Sequence, residues 1–150
     1  MWTVYLIGAI FWGALSAQFL VQSISSFATA TVYLYGLFFS RVKKNITASG
    51  FAAAITLAVL FAIFLIGGFW LIASYTHIGH AVWNMNYTAG LGAFVISFIY
   101  CFVQVPDKLY IARLCAMTPY FAERARFVAP NRTLTANEAR RIAAEITKTQ

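Results

Sequence analysis

A chain of 150 residues with 61% hydrophobic and only 10% charged side chains cannot clothe a water-soluble surface, for which about 25% charged residues is ordinary. The net charge of +7 invites a nucleic-acid partner, but its distribution argues against one. Three cations stand at Arg41, Lys43 and Lys44, and all others follow Pro106, interleaved with the four acids; retention of Lys and Arg on one side of a bilayer accounts for this directly.

The expected fold is an all-α integral membrane protein with three transmembrane helices and, beyond them, cytoplasmic interfacial and tail helices. Residues 1–106 read as the transmembrane domain and 107–150 as a cytoplasmic region. Residues 2–40 carry no charge and would extend about 58 Å as one helix, against a hydrocarbon core of about 30 Å. Two arrangements accommodate the excess. One is a single long helix; the other is a hairpin near residues 22–26, giving four spans and a cytoplasmic N-terminus. Gln18, Gln22, Ser25 and Thr29 recur at spacings of three and four and form a polar stripe on a continuous helix, and no Gly, Pro or Asn lies between Ala14 and Tyr35 to make a tight turn, so the single helix is preferred.

The basic turn 41–44 orients the chain. Arg41, Lys43 and Lys44 mark a cytoplasmic side, with the N-terminus outside and the C-terminus in the cytoplasm, and lipid headgroups as their natural neighbours. Residues 51–75 have span length, and Gly50, Ala54, Ala58 and Ala62 repeat every four positions, leaving one face nearly smooth. Residues 76–88 are uncharged but polar and are expected to form an outer loop within an aromatic belt. A last, short span covers 89–105, with Ala89, Ala93 and Ser97 again at intervals of four. These two small-residue faces are expected to pack on each other or on partners.

Pro106-Asp107 is expected to end that span. Residues 108–118 then read as an interfacial helix with snorkelling Lys108 and Arg113. Pro119 interrupts it, and Thr135-Ala-Asn-Glu138 is a capping-box signature opening a short tail helix that needs a surface to dock on. Cys101 and Cys115 read as reduced packing residues.

Chemistry-bearing motifs are sparse. His77 and His80 are the only histidines. A zinc site needs a third ligand, and two histidines three apart cannot straddle a haem. They are read as polar loop residues, with one of them ligating a haem alongside another subunit's ligand as the remaining alternative; no cofactor is expected. The sequence has no nucleophile elbow, phosphate loop or intramembrane acid. The expected function is therefore a non-catalytic structural or accessory subunit of a larger membrane complex, in a bacterial inner membrane, with other membrane subunits and the bilayer as partners. The alternatives are a pore or transporter subunit lined by Gln18, Gln22, Ser25 and Thr29, and a haem-bearing membrane anchor of a redox complex using His77 or His80.

Overall fold

The computed structural model describes the backbone of residues 2–74, 76–130 and 132–149, and the side chains of residues 3–70, 88–130 and 132–148. Among these residues the fold is all helical. α1 spans Trp2–Phe39, α2 Lys44–Ser74, α3 Thr76–Val103, α4 Val105–Met117, α5 Phe121–Val128 and α6 Ala136–Thr149. Three segments are long and apolar enough to cross a membrane: Thr3–Phe39, Lys44–Trp70 and Thr88–Met117.

Residues 2–39 form one helix, so the hairpin near 22–26 and the four-span arrangement are not adopted. The stretch lacks the turn chemistry that would stop helix propagation. α1 closes with the Ser40 N–H donating to the Gly36 carbonyl at 2.9 Å. The Ser40 hydroxyl oxygen then accepts from the Val42 N–H at 2.9 Å and shapes the basic turn. α2 opens at once: the Ile46 N–H donates to the Lys43 carbonyl at 3.0 Å, and the buried Thr47 hydroxyl donates to the Lys44 carbonyl at 3.0 Å.

Two expectations are corrected. The outer loop expected at residues 76–88 is the first part of α3: Gly79, Asn84 and Asn86 weaken helix there, but no proline or paired turn residues end it. Pro106 does not stop the last span; α3 ends at Val103 and Pro106 sits in the first turn of α4, where its missing N–H costs no intrahelical bond. Asp107 in that first turn suits the positive end of the helix dipole.

The chain divides into two compact units, Met1–Ile24 with Leu57–Gln104, and Ser25–Thr56 with Val105–Gln150. The first unit contains no Lys, Arg, Asp or Glu; all eleven basic and all four acidic residues belong to the second. In the first unit the neighbours of α1 approach it through small residues. A Cβ on Gly13 would overlap the Gly90 carbonyl oxygen, and one on Gly68 would overlap the Trp12 ring. The Ser23 hydroxyl donates to the Ala58 carbonyl at 3.0 Å. Phe19 stacks against Phe64 at 5.8 Å between ring centroids, and Trp12 meets Phe69 edge-on at 5.9 Å.

In the second unit α4, α5 and α6 close around Phe121, Ala125, Ala139 and Ile142. Pro119 ends α4, and the chain turns at Tyr120, whose φ of 63° makes it the one positive-φ residue other than glycine among those described. Arg140 lies over the Tyr110 ring at 5.8 Å, which ties α6 to α4.

The capping box forms reciprocally. The Thr135 N–H donates to Glu138 Oε2 at 3.0 Å, and the Glu138 N–H donates to Thr135 Oγ1 at 3.4 Å. Arg132 forks onto the same carboxylate, with Nη1 donating to Oε2 at 3.0 Å. The Arg132 hydrogen bonds, followed by those from Thr135, hold the Glu138 carboxyl down to about 2. A depressed carboxylate stabilises the fold fully above its ordinary range near 4.5 and loses that contribution as pH falls from there towards 2. An NMR pH titration of the whole protein should therefore show the α6 helical signals weakening in that window and not at pH 6–8. Replacing Glu138 by Gln should remove the transition.

Candidate functional site

Several chemically informative positions lie on α1, and their placement follows from which face of an almost wholly apolar helix is used. Ala9, Gly13, Ala17, Val21 and Ser25 repeat every four residues and are all buried. This face is offset by about one position from the polar stripe expected from sequence. Gln18 is consequently exposed, Gln22 and Thr29 are half-buried, and only Ser25 of the four is fully buried. The stripe is thus divided between the inside and the outside of the chain. The signal that would have found the buried face, Ala9-Gly13-Ala17 at spacings of four, is present in the sequence but masked by the more conspicuous glutamines.

The small residues of α2 are placed more nearly as their spacing suggests. Ala54 and Ala58 are buried, while Gly50 and Ala62 are half-buried. Both Gly50 and Ala58 meet α1, at Tyr33 and at Ser23 respectively. On α3, Ala89, Ala93 and Ser97 are half-buried. The closest approach belongs to the adjacent Gly90, which meets Ala9 and Gly13. The packing that these faces serve at those points is therefore with α1.

Two polar groups in this region stand out. Ser16, 2% exposed, has no hydrogen-bond partner for its hydroxyl among the described residues, and neither has the Trp12 indole N–H one turn earlier. Gln18 is different: it is exposed in the interior of α1 with no hydrogen bond to another described residue.

In the second unit, Lys43 and Glu123 pair at 2.9 Å, both exposed, which links the basic turn to α5 and raises the Lys43 pKa through that hydrogen bond. Arg41, Lys44, Lys108 and Arg113 are exposed. Grooves beside the turn are lined by Tyr35, Phe39, Arg41, Met117 and Pro119, and by Val42, Lys43, Ile46 and Tyr120. The Tyr33 ring packs on Gly50, and Gly36 lies against Ala116 of α4.

The side chains of His77 and His80 lie outside the described ones. Among the described residues no group of three or more His, Cys, Asp or Glu is arranged to hold a metal ion. No protein-family model matches the sequence, and neither a curated protein nor a solved structure is similar to it.

Proposed function

We propose that this protein is a non-catalytic accessory subunit of a larger membrane complex, with its long apolar helices in the bilayer and its C-terminal charged segment on the cytoplasmic side of a bacterial inner membrane. The observation that carries this reading is Gln18. A primary amide offers two donors and an acceptor, and on the outside of a membrane helix hydrocarbon can satisfy none of them. An amide in that position is accounted for by a helix of another chain, since interhelical hydrogen bonds of this kind contribute about 0.6–2 kcal/mol in membranes. The segregation of charge supports the same picture. Segments of the first unit, such as residues 57–74 of α2, have the length of a span and need no buried ion.

Gln18→Leu separates this reading from a pore. Loss of the assembled complex on native mass measurement after mild detergent extraction, with the isolated chain still folded, is expected for a subunit. Intact assembly with lost ion flux would instead favour a channel lined by Gln18 and Gln22. The orientation has its own test: a reporter fused at residue 45 should be inaccessible from outside intact cells, and external accessibility would invert the assignment.

A further inference from the structure

We infer that the second half of α1 is a docking surface for an amphipathic helix of another protein, apolar along the face it buries and acidic beside it. This rests on the subunit reading and names the chemistry of the partner. Phe27, Leu34 and Phe38 follow at spacings of seven and four along one line of α1, with Phe39 beside them, and they are 57%, 41%, 74% and 73% exposed. Thr31 lies on the same line, but its hydroxyl donates back to the Phe27 carbonyl at 3.0 Å, so it makes no polar demand on a cover.

Lipid does not suit this strip. Within the second unit, Tyr33 packs on Gly50 and Gly36 lies against Ala116, which fixes the height of α1 beside α2 and α4. At that height α4 exposes Arg113, and α2 exposes Ser49, Ala52 and Ala53 in place of bulky apolar residues. Hydrocarbon there would have to surround a guanidinium. A second copy of the chain does not suit it either, because the unit holds every charge of the molecule and two copies would bring +7 against +7. Charge complementarity selects an acidic partner. Arg41, exposed at the end of the strip, is paired with no acid among the described residues, whereas neighbouring Lys43 is held by Glu123. A groove between Phe39, Arg41, Met117 and Pro119 gives the partner helix an apolar seat with one cation at its rim.

The test places a photo-crosslinking phenylalanine analogue at Leu34 or Phe38 of the full chain in its own membranes, with the same probe at Ile63, 63% exposed in the charge-free unit, as reference. Crosslinked peptides are sequenced by mass spectrometry. The expected product is one segment of another protein, helical in pattern, with Asp or Glu flanking an apolar face. Arg41→Gln, which leaves Lys43 and Lys44 in place to hold the topology, should lower its yield several-fold. Lipid adducts like those at Ile63, crosslinks to a second copy, a segment without acids or a yield indifferent to Arg41→Gln would each overturn the inference. If native mass measurement finds an intact complex but neither position crosslinks to it, this surface is wrong and the subunit reading stands. A monomer in that measurement would defeat both.

Discussion

Replacing Gly13 by alanine is expected to destroy the folded charge-free unit, while Gly8→Ala and Gly67→Ala leave it intact. The three substitutions add the same methyl group to glycines that are all helical. At Gly8 and Gly67 that methyl meets nothing within 4 Å. At Gly13 it overlaps the Gly90 carbonyl oxygen and lies 2.9 Å from the carbonyl carbon and 3.2 Å from the Cα of the same residue. Every one of those atoms is backbone, so no rotamer change relieves the overlap; α1 and α3 must move apart. Overpacking a core by a side chain that can reorient costs about 1–3 kcal/mol, and separation of two helices should exceed it, at roughly 3 kcal/mol or more. Gly68 offers a graded comparison, since its added methyl meets the far end of the Trp12 ring, which can swing. Unfolding by SDS titration, followed by circular dichroism in mixed micelles, reads the order directly. Equal midpoints for Gly13→Ala and Gly8→Ala would show that the helices do not cross there.

The crossing at Gly13 also marks the boundary of what could be read beforehand. Helical class and three long apolar segments were visible because charge is absent from 1–40 and 45–106, and membrane helices announce themselves by that absence. The capping box at Thr135 and Glu138 was visible because its chemistry is local. The facing of α1 was not, for a physical reason. In a soluble helix the polar side identifies the exposed face, but a helix apolar all round leaves only the distinction between small and large side chains, and that must compete with stray polar residues such as Gln18. The start of α3 was missed because polar loops and polar helix ends look alike where neither Pro nor paired turn residues intervene. Pro106 was misread because the same residue that stops one helix is well suited to begin the next. The division of both α1 and α2 between two units could not be read from hydropathy, since residues 25–39 are as greasy as the segment before them. Only the packing of Gly36 on Ala116 and of Tyr33 on Gly50 shows which neighbours that segment serves.

Phe121→Ala should release α6 without disturbing the charge-free unit. Phe121 is 0% exposed and is the largest fully buried side chain in a core that it shares with Ala125, Ala139 and Ile142, with Tyr110, Leu114 and Ile146 partly buried around it. Its truncation leaves a hole that two alanines cannot fill, and such substitutions cost about 3–5 kcal/mol. α6 is short and its exposed face is strongly polar, so it is not stable as an isolated helix and depends on this apolar contact. The surface ties that remain, Arg140 over Tyr110 and the Arg132–Glu138 pair, are weak: the first contributes about 0.5–1 kcal/mol at an exposed site. The second closes only the helix's own N-terminus. Amide protection across residues 136–149 should therefore fall towards that of an unfolded chain, and trypsin should cut at Arg140 and Arg141, while protection in residues 5–24 stays unchanged. Phe121→Leu, which retains most of the volume, should lose less than about 1.5 kcal/mol and keep α6 docked. The two units then differ in what each needs: the first depends on the absence of a side chain at Gly13, the second on the presence of one at Phe121. If α6 stayed protected in Phe121→Ala, the apolar contacts left around Ile142, with Tyr110, Leu114 and Ile146 among them, would suffice to dock it, and the module would not depend on Phe121.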